Sequence, residues 1–183
     1  MTGRLVLVVG PSGVGKDSVI NGVRARLGGD GSVVFPRRMI TRPCEPGGED
    51  HDSTDPASFS AMQAAGAFAL AWSAHGLCYG IPVSIEWAMD AGRTVVVNVS
   101  RTAIDPARRR YPRLLVISVT ASHEVLRRRL LARGREDVNA VEARIARAGA
   151  FVIDGPDVAV IDNDGTLADA VDGFLALLQP VSA

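Results

Sequence analysis

Apolar positions along the chain follow two alternating rhythms. Four short runs, RLVLVV (4–9), TVVVNV (94–99), LLVISV (114–119) and DVAVI (157–161), are dominated by Val, Leu and Ile with little polar alternation. Such runs predict strands buried on both faces. Elsewhere apolar residues recur three and four apart. KDSVINGVRARL (16–27) lines up Val19, Ile20, Val23 and Leu27, with Gly28 and Gly29 as a stop signal. The same spacing predicts helices over 82–92, 103–110, 122–133, 139–150 and 166–178. Strands and helices in alternation imply an α/β fold, a central parallel sheet with helices on both faces. Residues 36–80 break the rhythm with many Gly, Pro and Asp. They predict a short helix near 56–66 and short strands near 68–73 and 77–80. This segment reads as a lobe inserted into a core of about 1–35 and 81–183, with RGREDVN (133–139) as a short lid. No repeat or linker divides the chain, so one domain is expected.

The 183 residues, 47% of them apolar, suffice for one hydrophobic core. The formal net charge is zero, which argues against nucleic-acid binding driven by bulk charge. Cys44 and Cys78 read as two reduced thiols rather than a disulfide framework. No run approaches the ~20 apolar residues of a membrane helix. The first apolar run ends in a glycine loop, so it reads as a strand and not a signal peptide. A cytoplasmic protein is expected, with neither membrane nor nucleic acid as partner. One bias is informative: 19 of the 20 basic residues are Arg, and the single Lys is Lys16.

Lys16 ends the stretch GPSGVGKDS: Gly10, Pro11, Ser12, Gly13, Val14, Gly15, Lys16, Asp17 and Ser18. Strand, glycine loop and helix follow in the order a phosphate-binding loop requires. Backbone N–H groups curl around phosphate oxygens, the helix adds its positive end, and the ammonium reaches the β- and γ-phosphates of a nucleoside triphosphate. The loop departs from the usual pattern at one place: Asp17 stands where a hydroxyl residue is expected, and Ser18 comes one position late. Asp17 is a candidate carboxylate for Mg²⁺. The alternative, a helix-capping or dipole role, stands level with it at this point.

Two arginine clusters follow. PRRMITRP carries Arg37, Arg38 and Arg42; the stretch from His123 to Gly149 carries seven Arg against four acids. Arg127 and Arg128 read as a solvated helix face. Arg133, Arg135 and Arg144 are the better functional candidates, the first two flanking a glycine in the lid. Planar guanidinium groups suit the spread charge of a phosphoryl group in flight. A phosphate acceptor is already anionic, so no general base is needed, and the chain offers no obvious one.

The order GPSGVGK, TR (41–42), HGLCYGIP (75–82), RGR (133–135) and IDND (161–164) resembles guanylate kinases over nearly the whole chain. The resemblance implies a P-loop kinase of nucleoside-monophosphate-kinase type. By residue, it implies Arg38, Arg42, His51 and Tyr79 on the acceptor phosphate, Lys16, Arg133 and Arg144 in catalysis, and Arg135 and Asn163 on ATP. Positions that read guanine in that family differ: Leu70 replaces a carboxylate, Ile81 a hydroxyl and Ser100 an Asp. Unpaired base donors cost on the order of 1–3 kcal/mol each, so GMP is disfavoured as acceptor. GKDS, ITR, GLCYG, VVVNVSR, RGRE and DNDG together resemble the guanylate-kinase-like branch that acts on ribose 1,5-bisphosphate in bacterial phosphonate use. That resemblance implies ATP and Mg²⁺ as cofactors and a sugar bisphosphate as substrate, with Ser100 and Arg101 facing the sugar or its 5-phosphate. The readings left beside it are guanylate kinase itself, a non-catalytic binding module of this fold, and a small-sugar kinase using Asp50 or Asp52 as base.

Overall fold

The computed structural model describes residues 1–29, 31–44, 50–132, 138–149 and 153–179. Nine strands and seven α-helices occur among them, in the order β1 (Arg4–Val9), α1 (Lys16–Leu27), β2 (Val33–Val34), β3 (Arg38–Ile40), β4 (His51–Ser53), α2 (Pro56–Ala64), β5 (Phe68–Ala74), β6 (Leu77–Pro82), α3 (Ile85–Asp90), β7 (Thr94–Asn98), a 3-10 turn at Arg101–Ala103, α4 (Ile104–Arg110), β8 (Leu114–Thr120), α5 (His123–Ala132), α6 (Val138–Gly149), β9 (Val158–Asp162) and α7 (Leu167–Leu178). One five-stranded sheet has the order β2-β7-β1-β8-β9. Its β2–β7 and β8–β9 pairs are parallel. A second sheet, β4-β3-β6-β5, is built wholly from residues 38–82. The expected α/β class with a parallel core sheet is what the chain adopts. Among the described residues, no helix is long and apolar enough to cross a membrane.

Contacts group the chain into two compact units, Met1–Leu7 with Gly29–Leu115, and Val8–Gly28 with Val116–Ala183. In the first, Val95, Val96 and Val97 of β7 are buried with Ile85 and Met89 of α3 and Ile104 and Ala107 of α4. Its second sheet turns at His75-Gly76, both at positive φ (53° and 74°), joining β5 to β6 through a two-residue hairpin. Helix α2 starts at Asp55, whose carboxylate accepts the Ala57 and Ser58 N–H groups at 2.9 Å each. It packs through Phe59, stacked on Phe68 at 4.7 Å. Phe68 in turn lies over Gly80, where a Cβ would come within 2.5 Å of its ring. Arg110 of α4 donates to the Ala69 carbonyl of β5 at 3.1 Å and pairs with Glu86 of α3 at 2.8 Å. Glu86 also accepts the Tyr111 hydroxyl at 2.8 Å. Burial, with Glu86 beside it, pushes the Tyr111 phenol well above its ordinary value. This network fastens the lobe sheet to α3 and α4.

In the second unit, Val19, Ile20 and Val23 of α1 are buried, as are Ala170, Val171 and Phe174 of α7. Arg26 and Asp172 pair across these two helices at 2.8 Å. Helix α7 opens with a capping box in which Thr166 and Asp169 satisfy each other's N–H groups. Val125, Leu126 and Leu130 form the buried stripe of α5, and Arg127 pairs with Glu142 of α6 on the exposed side at 2.5 Å.

Candidate functional site

Chemistry-bearing residues gather in each unit separately. In the second unit, β1 delivers the chain into Gly10–Gly15, and α1 starts at Lys16. Gly15 is the helix N-cap with φ 99°, a left-handed conformation that side chains rarely adopt. A Cβ there would also come within 2.6 Å of Asn163 Nδ2. Glycine is thus required twice over, by backbone angle and by space. Asn163, only 3% exposed, donates from Nδ2 to the Val14 carbonyl at 2.7 Å. Its Oδ1 is buried and has no hydrogen-bond partner among the described residues.

The Lys16 ammonium lies over the loop and donates to the carbonyls of Gly10 and Pro11 at 2.8 and 3.0 Å. Ser12, Asp17 and Ser18 are exposed. Asp17 stands in the first turn of α1, and no side chain caps this helix. No group of three or more His, Cys, Asp or Glu among the described residues forms a metal cage. A single exposed carboxylate beside a phosphate loop is nonetheless a donor set that fits Mg²⁺, which binds through one or two carboxylates plus substrate phosphates.

One residue here escaped the sequence reading. Arg129 of α5 donates from Nη1 to the Val14 carbonyl at 3.2 Å. Its signal is helical phase: Arg129 lies four and three residues past the buried Val125 and Leu126, whereas Arg127 and Arg128 are exposed. Arg133 and Arg135 lie outside the described residues, as does the expected lid up to residue 137; its last two residues, Val138 and Asn139, are instead the first turn of α6. Arg144 sits on α6, with its side chain outside the description.

In the first unit, the lobe sheet carries Arg38 on β3 and Tyr79 on β6. Arg38 donates from Nη1 to the Asn98 carbonyl at 3.0 Å, at the end of β7. Its guanidinium sits 5.4 Å from the Tyr79 ring centroid. Ser100 and Arg101 follow directly on that strand end, both half-buried. Burial pulls the Arg101 guanidinium below its ordinary value; it remains charged at any physiological pH.

Arg42 lies one residue past Thr41, whose N–H donates to the Cys78 carbonyl at 3.1 Å and whose Oγ1 accepts the Cys78 N–H at 2.9 Å. Two donors from β4 fix the Arg42 carbonyl: His51 Nε2 at 3.1 Å and Ser53 Oγ at 2.8 Å. A carbonyl only accepts, so His51 carries its proton on Nε2. His51 is 1% exposed, and its observed contact is with the Arg42 backbone. Arg37 pairs with Asp50 at 3.0 Å and Asp52 at 3.2 Å. Both candidate bases of a hydroxyl kinase are therefore engaged with a guanidinium.

Comparison with known proteins bears on both halves. A family model described as an AAA domain matches residues 6–147. A ribose 1,5-bisphosphate phosphokinase of Chelativorans sp. (strain BNC1) is 48% identical over 182 residues, covering 99% of this chain and 87% of that protein. A protein of the same description from Acidiphilium cryptum (strain JF-5) is 51% identical over 177 residues, covering 97% and 93%. Among solved structures, guanylate kinase from Anaplasma phagocytophilum superposes with a TM-score of 0.70 at 19% identity, covering 96% of this chain and 84% of its own. That last likeness is one of fold.

Proposed function

The chain belongs to the ribose 1,5-bisphosphate phosphokinase family, and from that premise we propose that it transfers the γ-phosphoryl group of ATP to the 1-phosphate of ribose 1,5-bisphosphate. The products are 5-phosphoribosyl 1-diphosphate and ADP. The observation that carries this reading is identity of 48% with a ribose 1,5-bisphosphate phosphokinase across 99% of the chain.

The chemistry of the residues agrees with it. An oxygen of the 1-phosphate forms the new P–O bond, and the bond from the γ-phosphorus to the β,γ-bridging oxygen breaks. The acceptor oxygen is anionic at neutral pH, so no base is required to deprotonate it. The pairing of Asp50 and Asp52 with Arg37 fits a reaction that uses neither. Lys16 and the loop N–H groups hold the β- and γ-phosphates; Arg133 and Arg144 neutralise charge on the group in flight. Arg135 and Asn163 serve the nucleotide, Asn163 from its place against the Val14 carbonyl of the glycine loop. Arg38, Arg42 and Tyr79 bind acceptor phosphate, His51 holds the Arg42 peptide, and Ser100 and Arg101 take the sugar or its 5-phosphate.

Asp17 would hold Mg²⁺ together with the ATP phosphates; the ion supplies charge neutralisation there. On this reading Asp17→Asn raises the Mg²⁺ concentration for half-maximal rate about tenfold and leaves the acceptor KM in place. An unchanged Mg²⁺ titration would assign Asp17 to the helix end alone.

The reading is tested by following ADP release with ribose 1,5-bisphosphate, ribose 5-phosphate and GMP as acceptors. Release with the bisphosphate and not with GMP is the expected pattern; robust GMP turnover would overturn it.

A further inference from the structure

The face of the lobe sheet that carries Tyr79 also carries a tryptophan with no role so far. Ile40, Tyr79 and Trp72 stand in one cross-strand row, and Ile81 and Leu70 in the next. Strand alternation puts Arg38 on the same face. Ile40 and Ile81 are fully buried, and Leu70 and Trp72 are 4% and 8% exposed. The indole lies parallel to the Tyr79 ring, with centroids 5.4 Å apart and 5° between planes. Among the described residues its N–H is neither hydrogen-bonded nor one of the buried unpartnered atoms, so the edge of the ring that carries it reaches solvent.

The face therefore has two halves. One is polar: the Tyr79 phenol and the Arg38 guanidinium, suited to phosphate. The other is apolar and filled. An indole is a bicyclic plane of purine size, and it stacks on Tyr79 as a base would. The chain's own indole thus already covers one face of the Tyr79 ring, a face on which a base could otherwise stack. Leu70 and Ile81 extend the same surface and offer no hydrogen bond to a purine edge.

We propose that Trp72 determines acceptor specificity: its indole excludes nucleobases from the acceptor site, holds Tyr79 in place, and keeps an N–H free for an oxygen of a base-free sugar phosphate. The proposal rests on the sugar-bisphosphate reading above. It predicts that removing the ring weakens the acceptor and admits nucleotides. Trp72→Ala should raise the KM for ribose 1,5-bisphosphate about tenfold, the upper end for loss of an aromatic pair, with the ATP KM unchanged. GMP and AMP should become competitive inhibitors against the bisphosphate. Trp72→Phe keeps a ring and should stay close to the parent in acceptor KM and remain blind to GMP. A folded Trp72→Ala protein with the parent's acceptor KM and no nucleotide inhibition would overturn the proposal.

A second measurement does not depend on the stability of that variant. The chain has two tryptophans, and Trp87 on α3 is 75% exposed. Trp87→Phe leaves Trp72 as the only indole. Its emission should change on titration with ribose 1,5-bisphosphate and saturate near the kinetic KM. Normal turnover by Trp87→Phe with emission that does not respond would overturn the role of Trp72 alone. Failure of the unmodified protein to use the bisphosphate would instead overturn the reading it rests on.

Discussion

Lys16→Ala is expected to reduce kcat with ribose 1,5-bisphosphate by about 10³-fold, the loss typical of removing one preorganised charge from a transition state. Lys16 is the only lysine in the chain, and it stands at the junction of the glycine loop and α1. Its ammonium lies over the loop, bonded to the Gly10 and Pro11 carbonyls at 2.8 and 3.0 Å. Incoming phosphate oxygens offer it a stronger, charge-assisted partner. The remaining loop N–H groups still bind ATP, so kcat falls further than the ATP KM rises. Lys16→Arg should recover little, because a planar fork does not replace a compact point charge. Single-turnover ADP formation measures the effect; a variant within tenfold of the parent would remove Lys16 from the chemistry.

Arg38→Ala should have the next largest effect and a different profile. Kcat/KM for the bisphosphate should fall about 10²-fold, while the ATP KM stays within twofold. One to two charge-assisted hydrogen bonds, each worth roughly 1.5–3 kcal/mol, would be lost. Arg38 joins three parts of the first unit: β3, the Tyr79 ring at 5.4 Å and the Asn98 carbonyl at 3.0 Å. Lysine keeps the charge and loses the fork, so Arg38→Lys should recover only part of the activity. Steady-state kinetics with each substrate varied in turn separates the two constants. Equal losses in both would mean that Arg38 acts through the fold rather than on the acceptor.

Much of the architecture was legible because its signals are strong. The expected first strand and first helix coincide with β1 and α1: an unbroken apolar run, a glycine loop and a double-glycine stop leave little choice. The pieces that were missed are short. β2 has two residues, and β3 and β4 have three each, too few for a period to show. β3 and β4 pair in parallel, supported by Arg37 against Asp50 and Asp52, and charged residues do not announce a strand. The helix expected over 82–92 runs only from Ile85 to Asp90, because the pairing of Phe68 with Pro82 extends β6 into its first residue.

The site was legible by type more than by role. The glycines, the lone lysine and the arginine-rich segments point to phosphate chemistry by residue identity alone, and the phosphokinase relatives agree with that chemistry. Sequence could not separate Arg129 from its two arginine neighbours without helical phase. Nor could it show that His51, in a polar stretch, is buried with its Nε2 on the Arg42 carbonyl at 3.1 Å. Trp72 reads simply as a strand residue; its place across from Tyr79 appears only with the register.

The central claim is that the acceptor is the 1-phosphate of a base-free sugar bisphosphate. Phosphorus NMR of the protein incubated with ATP, Mg²⁺ and ribose 1,5-bisphosphate tests it most directly. The account predicts coupled diphosphate resonances at the sugar C1 position, an unchanged 5-phosphate and ADP in equal amount. A spectrum in which the bisphosphate stays intact, while GMP supplied in its place becomes GDP, would contradict it.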